Sequence, residues 1–212
     1  MAASIKCKPL WLGLALLGVL VVAATLGLYQ LGVGQENDEP QGGPIAMPST
    51  QGDFSLTQLG DNEIAIISFG YTYCPDVCPM TLMRLEAIRA QLGLKMMPDS
   101  IPEIVFVAVD PDRDQTILKD YLAHFHPEYI GLTGDHSELK KLVESIDGMY
   151  RIEKRYPGEV NYTVKHSAGV ALINPEGEWI ATLNPPFHSH RTSEFLVQVI
   201  RHDNASQHAR NE

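Results

Sequence analysis

Cysteine is scarce in this sequence, and so is positive charge. Of 212 residues 3 are cysteine, and of these only Cys74 and Cys78 follow the first apolar run. One structural disulfide is therefore the most that the later part of the chain could hold. Lys and Arg number 16 against 26 Asp and Glu, for a net charge of −10. Residues 1–34 carry Lys6 and Lys8 and no acid, which leaves 14 bases against 26 acids, or −12, on the remainder. A surface that acidic repels phosphate backbones, which excludes nucleic acid as a partner. It attracts cations and basic protein surfaces instead. No internal repeat of about 20–50 residues is visible, which argues against a repeat architecture. With 44% hydrophobic and 20% charged residues, the composition is that of a globular protein.

The first apolar run, Leu10 to Leu31, is 22 residues without a charge. A bilayer core needs about 20 such residues as a helix. Lys6 and Lys8 precede the run, and Glu36, Asp38 and Glu39 follow it. The basic flank stays cytoplasmic, so the expectation is a single-pass anchor in a bacterial inner membrane with the domain in the periplasm. A cleaved signal peptide is the alternative, kept open by Ala23 and Ala24. The run nevertheless exceeds the usual h-region. Cys7 precedes the run, unlike a lipoprotein cysteine.

Composition divides the chain into four parts: 1–33, cytoplasmic tip and anchor; 34–52, a Pro- and Gly-rich tether; 53–203, the folded domain; and 204–212, a polar tail. Ile64–Phe69 and Ile104–Val109 are continuous apolar runs, as in strands buried on both faces. Thr81–Leu92 has helical apolar spacing and stops at Gly93. A second helix is expected over Asp114–Phe125, capped by Asp114. Ile130–Leu132 reads as a short edge strand, followed by a helix near Glu138–Ile146 with Asp135 as N-cap. Gly169–Ile173 and Trp179–Leu183 flank the turn Asn174-Pro175-Glu176-Gly177 and read as a hairpin. A last helix runs near Ser193–His202, with Thr192 as its cap. This order of elements points to an α/β protein with a mixed sheet and helices on both faces, and the thioredoxin fold matches it economically.

Cys74 and Cys78 stand between a buried strand and a helix, each followed by proline. Cysteines four apart share a face once the chain turns helical. Near a helix N-terminus, dipole and free amides favour the thiolate. A thiolate binds a soft metal and also attacks a disulfide, so both chemistries are open. The C-x-x-x-C spacing differs from the C-x-x-C of thioredoxin-like oxidoreductases and lets both sulfurs clasp one ion. A structural disulfide across one helical turn would add little stability.

Two thiolates leave a soft metal ion under-coordinated, so a third ligand is wanted. His124 and His126 end a helix, His136 lies in a polar turn, and His188, His190, His202 and His208 lie in or near the C-terminal helix. His166 differs, because it falls in a loop just before the strand Gly169–Ile173. There it is either a ligand or an ordinary loop histidine.

Three motifs stand in order: Phe69-Gly70-Tyr71-Thr72-Tyr73-Cys74-Pro75-Asp76-Val77-Cys78-Pro79, then Val109-Asp110-Pro111-Asp112-Arg113-Asp114, then His166-Ser167 ahead of the hairpin. Together they resemble the Sco/SenC family over about residues 50–202. The resemblance implies a thioredoxin-like fold holding one copper ion through Cys74, Cys78 and His166. It also implies a role in supplying copper to, or reducing, the binuclear copper centre of cytochrome c oxidase subunit II or of another terminal oxidase. Asp110 becomes a candidate carboxylate near the copper, although unaided it reads as part of a strand-ending turn. The chain departs from the family pattern in two places. The hairpin ahead of the first buried strand should be short or incomplete, and a cation, Lys165, precedes the histidine.

The expected function is that of a copper metallochaperone rather than an enzyme. Two thiolates and a neutral imidazole form a soft S₂N set suited to Cu(I); Cu(II) could bind if Asp110 or water joined. The rival is a thiol–disulfide reductase using Cys74 and Cys78 alone, with no necessary role for His166.

Overall fold

The computed structural model describes residues 17–18, 21–23, 42–60 and 63–211. The chain divides into two compact units, Met1–Glu39 and Pro40–Glu212, and every element below belongs to the second. The expected anchor, Leu10–Leu31, lies outside the described residues except at 17–18 and 21–23, which are helical. Among the described residues no helix is long and apolar enough to cross a membrane.

Two long apolar runs become the centre of a seven-stranded sheet. They are β3 (Ala65–Gly70) and β4 (Glu103–Ala108), paired in parallel from Ala65 opposite Glu103 to Gly70 opposite Ala108. The strand β5 (Ile130–Leu132) extends the parallel set beyond β4. On the other side of β3 lies the antiparallel hairpin of β8 (Val170–Ile173) and β9 (Trp179–Leu183). A hairpin of β1 (Ala46–Ser49) and β2 (Gly52–Ser55) closes the far edge, giving the order β2-β1-β5-β4-β3-β8-β9. Every residue of β3 and β8 is buried, as the unbroken apolar runs require.

Helices cover both faces. The first, α1 (Val77–Leu92), buries Cys78, Leu82, Leu85, Ile88 and Leu92 at helical spacing. It begins four residues earlier than the apolar periodicity indicates. Pro79 sits in the first turn, where its missing N–H costs nothing. The one-turn α2 (Pro111–Asp114) and α3 (Leu118–Ala123) stand where a single helix is expected, because Asp114 does not act as its cap. On the opposite face α4 (His136–Ser145) starts at Asp135, whose N–H donates to the Glu138 carboxylate at 3.3 Å. The last helix, α5 (Ser189–Asn211), packs against α1 and is longer than expected at both ends. Residues 204–211, polar enough to suggest a tail, continue it, with Ser206 Oγ and Gln207 Nε2 bonding back to His202 and Asp203.

Two further differences concern the site. The tether expected through residue 52 is already strand from Ala46, because Ile45, Phe54 and Leu56 join the core. A separate two-stranded sheet, β6 (Tyr150–Glu153) with β7 (Thr163–His166), occupies what reads as loop. His166 therefore closes a strand rather than sitting in a loop.

Candidate metal centre

The site grows from the junction of β3 and α1. Gly70 ends the buried strand, and a Cβ there would lie 2.7 Å from the Phe106 ring and 2.8 Å from Cys78 Sγ. Only glycine leaves room for the sulfur to sit against the sheet. A turn from Tyr71 O to Cys74 N (3.1 Å) then lifts Cys74 over the start of α1. The Asp76 side chain makes no cap; instead the N–H of Cys78 donates to Cys74 Sγ at 3.4 Å. The sulfur thus satisfies one of the donors that a helix start leaves free.

His166 arrives from β7 and closes the group. Its Nε2 lies 3.2 Å from Cys78 Sγ, and the Cys74, Cys78 and His166 donor atoms all lie within 4.8 Å of one another. Its Nδ1 is 2.8 Å from the Ser167 carbonyl oxygen, which can only accept. The proton therefore sits on Nδ1, and the Nε2 lone pair faces the sulfurs. Burial holds the imidazole below the usual histidine range, against the opposing effect of the Ser167 bond. Ser167 is itself tied to Met149 by bonds of 2.9 Å from each backbone N–H, and the Tyr71 ring meets His166 edge-on.

Both cysteines are free, Cys78 buried and Cys74 half-buried. Burial is the main reason that the Cys78 thiol is pushed well above its ordinary value. The Cys74 sulfur beside it adds to this, and hydrogen bonding with the Tyr71 backbone opposes it. A helix start alone suggested a ready thiolate; at Cys78 the desolvation of a buried charge outweighs the dipole. An incoming soft cation has to displace that proton.

Asp110 is brought to a different place. It is fully buried, with Oδ1 accepting from Tyr162 OH at 2.7 Å and Oδ2 from Arg113 Nε. Both oxygens are thus engaged, and Asp110 is not in the convergent group. Arg113 also donates to the Tyr162 carbonyl at 3.1 Å and stacks 3.6 Å above the Tyr162 ring. Asp114 accepts from the Thr72 N–H at 2.8 Å and the Thr72 hydroxyl at 2.6 Å. Burial raises its carboxyl to about 6. The turn after β4 therefore holds both ligand-bearing segments, the cysteine loop through Thr72 and the histidine segment through Tyr162. Sequence reasoning missed Thr72 and Tyr162, and no local pattern links either to the Asp-Arg-Asp turn.

The remaining histidines take other parts: His124 and His126 bond within their own turn, and His190 faces Glu194 at 3.6 Å. Among the described residues no second group of three ligand-type side chains converges. Lys165 points away from the site and pairs with Glu153 at 2.9 Å, as strand alternation dictates when His166 faces inward.

A mixed sheet with a parallel β-α-β core, an antiparallel hairpin, and a Cys-Cys-His group at its strand–helix junction defines a thioredoxin-like metal-binding domain. Two thiols and an aimed imidazole lone pair are a donor set that fits copper. The SCO1/SenC family model matches residues 34–201, and the chain belongs to that family. A SCO2-like protein of Rickettsia conorii is 33% identical over 146 residues, which is 68% of this chain and 70% of the relative. The crystal structure of Arabidopsis thaliana ScoI with copper bound is similar with a TM-score of 0.66 at 29% identity, covering 76% of this chain and 98% of that one. Yeast Sco1 with copper bound gives 0.67 at 30% identity, covering 76% of this chain and 88% of that one.

Proposed function

We propose that this protein is a copper metallochaperone for assembly of the binuclear copper centre of cytochrome c oxidase, or of the copper site of another terminal oxidase. One observation carries the reading: the Cys74 and Cys78 sulfurs and His166 Nε2 lie within 4.8 Å, with the lone pair turned inward. The copper-bound relatives at 29% and 30% identity support it. One Cu(I) ion per chain takes Cys74, Cys78 and His166 as ligands, and both thiol protons leave to solvent. Transfer is a ligand exchange: each Cu–S bond to this chain breaks as a Cu–S bond to an acceptor thiolate forms. Half-buried Cys74 is the sulfur from which exchange begins. Leu10–Leu31 serves as a single-pass anchor in the bacterial inner membrane, with the domain in the periplasm, so donor and acceptor share one surface.

The second reading is thiol–disulfide reduction, favoured by the accessible Cys74 beside a buried partner thiol. Cys74 attacks an acceptor disulfide and releases one acceptor thiol. Cys78 then attacks Cys74 and releases the second, so two electrons and two protons pass to the acceptor. The product Cys74–Cys78 disulfide needs a dithiol reductant to reset it.

The test uses full-length protein in detergent. Reduced protein should bind one copper per chain, and protein oxidised to the Cys74–Cys78 disulfide should bind none. Equal copper in both samples refutes the ligand set. His166→Ala separates the two functions: it should block oxidase assembly at low copper under the chaperone reading. Normal assembly without added copper would leave the reductase reading standing.

A further inference from the structure

Beneath the buried sulfur the sheet face is apolar apart from two buried hydroxyls, of Ser68 on β3 and of Tyr121 on α3. Phe106 and Cys78 Sγ converge on Gly70 from the same side of the sheet. The ring of Tyr121, on α3, lies beside Phe106 with centroids 6.0 Å apart, and its other side meets Phe125 at 5.3 Å. The Tyr121 hydroxyl is buried and has no hydrogen-bond partner among the described residues. Such a group carries a desolvation cost when left unmet, so its retention asks for a reason.

Its surroundings supply one. Burial first, and then the charges that Cys78, Cys74 and Asp114 would carry, push the Tyr121 phenol above its ordinary value. The hydroxyl therefore keeps its proton and can act as a donor. Tyr121 and Cys78 Sγ both lie about the Phe106 ring, so the orphan hydroxyl and the buried sulfur share one apolar region. The Cys74 sulfur already has an amide donor in Cys78 N. Cys78 sits deeper, with Phe106 on its sheet side and the Tyr71 backbone as a donor, so charge placed on it gains from a further partner.

We propose that Tyr121 is a positioning residue for the copper ligand Cys78, its hydroxyl donating to that sulfur once copper holds it as a thiolate. The bond closes directly or across one bridging water, which serves nearly as well. It withdraws charge from the sulfur and holds the Cys78 side chain in its ligating rotamer, as outer partners of metal ligands generally do. The proposal rests on the copper reading above.

Tyr121→Phe in the full-length protein removes one oxygen and keeps the ring stack. Three readouts apply: melting temperature without copper, chelator competition for Cu(I), and the sulfur-to-copper charge-transfer band of the Cu(II) form. Without copper the variant should melt at the wild-type temperature or above it, since an unpartnered hydroxyl is gone. With copper it should hold the ion about 10–100-fold more weakly, with a shifted band. An unchanged band and unchanged competition would overturn the proposal while leaving the copper reading intact. A wild-type protein that binds no copper overturns both.

Discussion

Cys74 and Cys78 reach the centre across four residues of one strand–helix junction, whereas His166 comes from 88 residues beyond Cys78 on a sheet of its own. The first arm is local: a glycine that makes room, a turn, and a helix whose free amide meets a sulfur. The second arm depends on contacts far apart in sequence. Asp110, Arg113 and Tyr162 fasten the entry to β7, while Ser167 and Met149 fasten its exit. Two arms built so differently should fail differently. Damage to the cysteine arm removes binding outright, and damage to the histidine arm loosens it by degrees.

The largest effect is expected from Cys78→Ser. It replaces the central soft donor with a hard oxygen, and chelator competition should report a loss of copper affinity of at least about 100-fold. Acidification should act on the same atom. Burial holds Cys78 protonated, so copper competes with that proton, and affinity should climb with pH by up to about tenfold per unit for each proton displaced. Folding stability without copper runs the other way. A thiol whose folded value is raised stabilises the fold below its unfolded value, about 8.5, and this contribution is lost as pH rises beyond it. Opposite pH slopes for copper affinity and for the melting temperature of copper-free protein are thus expected; parallel slopes would contradict the burial of Cys78.

Gly70→Ala drives a methyl against Cys78 Sγ and the Phe106 ring. Overpacking of this kind costs about 1–3 kcal/mol, measurable by urea unfolding. Because the clash falls on the ligand itself, copper affinity should fall as well. Tyr162→Phe sharpens the contrast. It strips a donor from buried Asp110 and should cost about 1–3 kcal/mol. Its faster amide exchange should be confined to residues 150–167. Equal loss of protection across α1 would mean that the arms are not separable.

The locality of each arm also explains what the sequence makes legible. The buried strands, the 169–183 hairpin, the Asp135 helix start and the cysteine pair all rest on patterns confined to single short stretches of chain. Alternation and apolar runs report them directly. The β6–β7 sheet was missed because each strand is four residues, and Tyr150, Ile152 and Val164 alone carry its apolar side. The split between α2 and α3 was missed for a related reason. Asp114 has the composition of a cap, but its carboxylate is claimed by Thr72, 42 residues earlier. The engagement of Asp110 by Tyr162, 52 residues later, has the same origin in distant contacts, whereas its pair with Arg113 is local.

The bond from Cys78 N–H to Cys74 Sγ gives the molecule a reporter of its own state. A hydrogen bond strengthens as its acceptor gains charge, and the acceptor here changes from thiol to metal-held thiolate to disulfide sulfur. The chemical shift of this one amide proton should therefore take a distinct value for each form. A single crosspeak would then serve as an indicator of cargo and of oxidation together, read at the helix start without touching the ion.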